Sequence, residues 1–263
     1  MPQFQRLSAR ERGELDKQDA VLLTRPINDD PRVLAAFTRK MVRLMRGTRS
    51  LSPSADVVAF IAGVFEGSVA ALTPQPAKAA IACRAGCAYC CAQAVVVTPM
   101  EVFALATLVR ARESTVAAVL ATAEKMRGRD THGAWVRCPL LADNACSVYG
   151  LRPLSCHSFV SLAVQDCIAT YVMQGKPSVR TPNAYVDAMN ACRTVMVAAL
   201  KVLGRPSWLY ELNAALAVAL ATEDSETRWL QGEEIFAGLE PMPIVAIWDA
   251  KIAGFADNVA RTL

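Results

Sequence analysis

The chain has 263 residues, of which 53% are apolar and 20% charged, and a net charge of +4. Such a composition supports a buried core and excludes a disordered or strongly polyelectrolyte protein. The basic excess is N-terminal: residues 1–50 hold eleven Lys and Arg against six Asp and Glu. With no basic–aromatic motif beside it, that bias reads as a solvated helix face and not as a nucleic-acid surface.

The first twenty residues are broken by charge and contain no apolar h-region, so no secretory signal is expected. The longest uncharged run, Ala85 to Met100, includes three cysteines, Gln93, Thr98 and Pro99. It falls short of the roughly 18 apolar residues of a membrane span. The expectation is a soluble, cytoplasmic protein with no membrane span.

Asp30-Pro31 supplies a cap and a first-turn proline for a helix whose apolar stripe is Leu34, Phe37, Met41 and Leu44, with Arg32, Arg39, Lys40, Arg43 and Arg46 as its charged decoration. A second helix is expected over about Ser54–Leu72. Ala59, Gly63, Gly67 and Ala71 recur along one side of it, and that spacing predicts close helix packing there. Thr98-Pro99-Met100-Glu101 forms a capping-box signature and starts a helix running to about Arg112. Further helices are expected near 114–127, 156–174, 182–203, 207–223 and 243–262, with short strands near 94–97 and 147–149. The fold class is therefore mainly α, a helical domain with a cysteine-rich, loop-rich insert. It divides into a basic helical region (1–76), a cysteine core (77–160) and a C-terminal helical region (161–263) that packs on the core as part of one structural domain.

The cysteines carry the chemistry. Cys83, Cys87, Cys90 and Cys91 stand in CRAGCAYCC, and Cys138, Cys146 and Cys156 in CPLLADNACSVYGLRPLSCHSF. Thiolate sulfur is a soft, anionic ligand, and several thiols on one short segment favour zinc, iron or an iron–sulfur cluster. In a reducing compartment such a cluster reads as metal-binding or catalytic, and nine cysteines, an odd number, argue against a closed disulfide framework. On an ideal helix the first four would share one stripe about 100° wide, so core packing is the competing reading, weakened by Gly86 and by the second block. Adjacent Cys90 and Cys91 project in different directions, which suits two centres, or one centre and a neighbouring thiol. Seven thiols cannot fill two four-thiolate sites, leaving a position for His157, water or substrate. Cys167 and Cys192 stand alone in apolar helices and read as core. If Ser155 caps the helix expected to start at Cys156, its free N–H groups would favour a thiolate there. His132, in a polar turn, reads as surface.

The two blocks, in this order, with Val97-Thr98-Pro99-Met100-Glu101 after the first and Tyr149-Arg152-Pro153 in the second, resemble the YkgJ-type cysteine-cluster family, a zinc- or iron-chelating domain. The resemblance covers about Cys83 to Phe159. It implies that Cys83, Cys87, Cys90, Cys91, Cys138, Cys146 and Cys156 ligate metal and that Arg152-Pro153 is a turn presenting Cys156; His157 is a further candidate from its own place beside Cys156. The chain has Gly150 where an acidic residue is common and His157 where arginine is common. Tyr149 and Arg152 are candidates to hydrogen-bond cluster sulfur or a bound ligand. Cys83, Cys87 and Cys90, with Tyr89 before the last, also resemble the cluster motif of radical S-adenosylmethionine enzymes, but the strand–helix repeats of a β/α barrel are missing. Some flagellin lysine methylases are similar in carrying a related cluster.

The reading is a metalloprotein binding an iron–sulfur cluster or iron ions through up to seven thiolates, with redox or methyl-transfer-like small-molecule chemistry. Its partner would be an unidentified small molecule or protein. The alternatives are a structural zinc module for protein interaction, or metal storage and delivery.

Overall fold

The computed structural model describes residues 7–47, 50–127, 135–174, 179–242 and 246–263. His132, Gly128, Asp130 and Gly133 lie outside them. The fold is mainly helical. In chain order come α1 (Ala9–Leu22), α2 (Pro31–Met45), α3 (Pro53–Leu72), α4 (Gln75–Ala79), a 3₁₀ turn (Tyr89–Ala92) and β1 (Val96–Val97). Then follow α5 (Pro99–Val109), α6 (Glu113–Met126), β2 (Leu141–Ala142), β3 (Ala145–Cys146), a second 3₁₀ turn (Tyr149–Leu151), α7 (Leu154–Ser158) and α8 (Val164–Val172). The chain finishes with α9 (Asn183–Val202), β4 (Tyr210–Glu211), α10 (Leu212–Ala221), α11 (Ser225–Leu230) and α12 (Ala246–Ala260).

The apolar residues of α9 make it a central pillar, packed against α2, α3 and α12, while α5 lies between α3 and α10. α5 is buried nearly all round, from Pro99 to Ala106 and at Val109, as its continuous apolar sequence requires. α2 buries Val33, Ala36, Phe37, Met41 and Val42, so the core stripe runs beside the expected one and Leu34 and Leu44 are only half-buried.

Arg39 departs from the decorative role expected of it. It is 5% exposed and makes a two-pronged ion pair with buried Asp19 of α1, at 2.8 Å from Nε and 2.5 Å from Nη2, while its Nη1 donates to Thr262 Oγ1 at 3.1 Å. Buried guanidinium and carboxylate satisfy each other's hydrogen bonds, which is the condition for hiding either charge.

The small-residue side of α3 does not mediate helix packing. Ala59, Gly63, Gly67 and Ala71 face solvent, and a Cβ built on Gly63 or Gly67 meets nothing within 4 Å. Val57, Val58, Ile61, Phe65 and Val69 take the core side, because burying branched and aromatic side chains removes far more apolar area from water. By length and composition α3 could cross a membrane, yet its bulky face packs into this core.

Two short antiparallel pairings connect the loops. Val96 and Val97 pair with Glu211 and Tyr210, and Leu141 and Ala142 with Cys146 and Ala145. The second pairing lies upstream of the strand expected near 147–149, because Asp143 and Asn144 both adopt positive φ, the geometry of a tight primed hairpin turn. The single helix expected over 156–174 is two, α7 and α8, separated by residues 159–163.

The capping box at Thr98 forms as expected and then reaches further. Glu101 Oε2 accepts from the Thr98 N–H at 2.6 Å and its hydroxyl at 2.9 Å, while Oε1 accepts from the Leu154 N–H at 2.7 Å. One buried carboxylate thus starts α5 and caps α7. Glu101→Ala strands these donors in the interior and should cost about 2–4 kcal/mol in urea unfolding, with Glu101→Gln losing less because it keeps acceptor oxygen.

Candidate metal centre

The first cysteine block is not an α-helix, so its four thiols are not a helical core stripe. Gly86 sits at φ +82° in a turn between Cys83 and Cys87, a conformation that suits glycine, and Cys90 and Cys91 follow in the 3₁₀ turn. The second block is laid against the first by main-chain hydrogen bonds. The Cys138 N–H donates to Cys91 O at 2.7 Å and the Val136 N–H to Ala92 O at 3.0 Å. The β2–β3 hairpin then turns Cys146 back beside Cys138. Arg152 and Pro153 form the turn before α7, which brings in Cys156.

Together these segments wall a cavity of about 730 Å³. All seven cysteines chosen from the sequence line it, as do Tyr149, Arg152 and His157. All nine cysteines of the chain are free thiols. Among the described residues no three His, Cys, Asp or Glu side chains converge closely enough to hold one ion, so the thiols stand around the wall and not at a single point.

Cys167 also lines the cavity, whereas Cys192 is fully buried in the helical core. Sequence reasoning set both aside as packing. The missed signal was the Tyr171 that shares a helix face with Cys167 one turn on, opposite Tyr89.

Burial raises most of these thiols, the expected response of a group whose charged form loses its water. It raises Cys83, pushes Cys138 up to about 12 and raises Cys146. Cys156 lies well above its ordinary value, through burial and then the nearby charges of Cys138, Cys91 and Cys146. The condition for a helix-start thiolate at Cys156 is not met. Its own N–H is already bonded to Pro153 O at 2.8 Å, and Ser155 does not cap: its hydroxyl donates to Val96 O at 2.7 Å and accepts from Arg193.

Cys91 goes the other way. The Cys90 thiol donates a hydrogen bond to it, lowering Cys91 and raising Cys90, and Arg137 and Arg152 add favourable charge at Cys91. Sulfur is further steered by main-chain donors, including the Ser161 N–H to Cys83 Sγ at 3.3 Å and those of Leu140 and Val148 to Cys138 and Cys146. The donor set fits a thiophilic metal: soft sulfurs, pre-placed N–H groups and nearby cations to offset thiolate charge.

His157 is 3% exposed in α7, with its ring 6.0 Å from that of Phe65. It is not a solvent-bonded helix end. Neither ring nitrogen has a hydrogen-bond partner, although Glu66 Oε1 lies 3.5 Å from Nδ1. The buried Nε of Arg152 is likewise unpartnered, while its guanidinium stacks 4.1 Å over the exposed Tyr149 ring. An imidazole and a guanidinium nitrogen left without partners on a thiol-lined wall are free to meet a ligand.

Residues 82–192 match the family model described as "CxxCxxCC: Putative zinc- or iron-chelating domain", the cysteine-cluster family to which the motifs pointed. No curated protein and no solved structure matches the chain. The match indicates a metal-chelating domain of the zinc or iron kind and covers every cysteine of the cavity.

Burial, and then the charge of Arg152, lower His157 from 6.5 to about 4. An unfolded chain takes up this proton at ordinary pH values, so the stability of the metal-free protein is undiminished by His157 above about pH 6.5 and falls as pH drops towards 4. The loss is on the order of 3 kcal/mol. Urea titrations between pH 7 and 4.5 should show a steeper decline for the wild type than for His157→Gln; equal slopes would mean the imidazole is not buried neutral.

Proposed function

We propose that this chain is a redox metalloprotein that holds iron, as an iron–sulfur cluster or as bound ions, through Cys83, Cys87, Cys90, Cys91, Cys138, Cys146 and Cys156. The observation that carries this reading is the gathering of seven thiols from two sequence blocks around one largely apolar cavity. Bound there, iron would supply one-electron chemistry.

The residues around it have defined tasks. Arg137 and Arg152 offset thiolate charge near Cys91. Main-chain N–H groups of Ser161, Leu140 and Val148 hold sulfur positions and lower the cost of deprotonation. Phe65, Leu140 and Val148 exclude water. His157, neutral at physiological pH, offers a lone pair or a proton on the wall. Because the thiols must stay reduced, the cytoplasm is the compartment that suits this role. A small molecule or a protein redox partner would be its counterpart.

A zinc module is the second reading, favoured by the hairpin placement of Cys138 and Cys146 beside Cys91, which would tie two loops with one closed ion.

Anaerobic purification followed by visible absorption and analysis of iron, zinc and acid-labile sulfide separates the two. The expected result is a brown protein containing iron and sulfide, with colour weakened in Cys138→Ser. Colourless protein with stoichiometric zinc would overturn the redox reading.

A further inference from the structure

Four arginines among the described residues are buried or half-buried, and three of them are bonded inside the protein. Arg39 holds Asp19 and Thr262, Arg193 donates to Ser155 Oγ at 2.6 Å, and Arg205 donates to Leu230 O. Arg152 is the fourth. Its guanidinium makes no hydrogen bond and no ion pair among the described residues, although it lines the cavity. What it does make is a stack, 4.1 Å over the ring of Tyr149. Stacking fixes the plane of a guanidinium and leaves its N–H edge for another group.

Offsetting the charge of nearby thiolates needs only a cation at close range, which an ammonium supplies as well. A plane held against an aromatic ring adds direction, and the partners that match a guanidinium edge with two parallel bonds are carboxylate and phosphate. The rest of the wall chooses between them. Phe65, Val69, Ile81, Leu140, Val148 and Val160 give it a mainly apolar lining, suited to a ligand with an apolar body. Arg84, the only other cationic residue among the described lining residues, is exposed, so a doubly charged phosphate would find too few donors. Glu66, the one carboxylate among them, is 63% exposed and lies 3.5 Å from His157 Nδ1, leaving Arg152 unpaired. At about 730 Å³ the space is that of a small-molecule site, on the order of 300–1,000 Å³.

We propose that the cavity takes a small organic acid, its carboxylate held by the Arg152 guanidinium against Tyr149 and its apolar body laid along the wall of Phe65, Leu140 and Val148. This names the class of small molecule that the redox reading calls for, and rests on that reading for what becomes of the acid. Its capture rests on Arg152 and the cavity alone.

The probe is octanoate, titrated calorimetrically into the anaerobically purified chain after its iron, zinc and sulfide have been measured. Octanol and octylamine keep the tail and replace the head group. Octanoate should bind, octanol should bind about tenfold more weakly or worse, and octylamine should not bind. Arg152→Gln, shown to be folded by circular dichroism, should bring octanoate down to the level of octanol. Equal affinity of the wild type for octanoate and octanol overturns the proposal, and that comparison needs no variant to fold. Unchanged octanoate affinity in folded Arg152→Gln also overturns it, as does displacement of octanoate by an equal concentration of inorganic phosphate. Protein that carries iron but binds no octanoate overturns the proposal and leaves the redox reading standing. Colourless zinc protein that binds octanoate in preference to octanol upholds the proposal and overturns the redox reading.

Discussion

The Glu101 carboxylate is the constraint on which the site depends. It is 3% exposed, and its oxygens meet the start of α5 on one side and the start of α7 on the other. A buried carboxylate cannot be left with empty lone pairs, so this residue fixes the distance between the segment following the first cysteine block and the helix bearing Cys156. Ser155 repeats the connection one residue on, bonded to Val96 O and Arg193. Burial depresses the basicity of Arg193 while the Glu101 charge works against that loss, so the two charges support each other beneath the cavity floor.

The thiols show the opposite economy. Sulfur buried without charge is comfortable, and the fold keeps most of these cysteines protonated by removing water from them. A metal arriving here must displace those protons, so its affinity falls with acidity and its capture releases acid. The apolar wall thus holds the metal-free state together, and the arginines and main-chain N–H groups favour the deprotonated one. Tyr149, stacked on Arg152, keeps one of those cations at the cavity mouth.

Local chemistry made much of the fold legible. Asp30-Pro31 and Thr98-Pro99-Met100-Glu101 mark helix starts because a cap and a proline act within a few residues, and both helices begin as read. The cysteine blocks were legible as a site because Gly86 and the second block weakened the only packing explanation for their density. What escaped was decided at long range. Nothing near Arg39 in sequence announces Asp19 twenty residues earlier, so an arginine on a basic helix read as surface. The α3 glycines suggested an interface, but which face of a helix is buried depends on what the neighbours offer. Glu101 read as half of a capping box, and its second partner lies 53 residues away. Cys167 was lost for the same reason: a single cysteine in an apolar helix looks like core until the tyrosine beside it is seen to face another tyrosine.

The contacts that assemble the cavity also differ in reach along the chain, and this orders their formation. Ser161 and Cys83 are separated by 78 residues, and their bond encloses both the Cys91–Cys138 pairing and the Glu101–Leu154 bond. The entropy of closing a loop grows with its length, and an inner closure shortens the stretch that an outer one must still bridge. Folding is thereby biased to build the Cys91, Cys138 and Cys146 side first, through the hairpin and the Glu101 bond. The Cys83 side closes last, when the start of α8 docks, so the two halves of the wall have a sequence in time as well as a position in space.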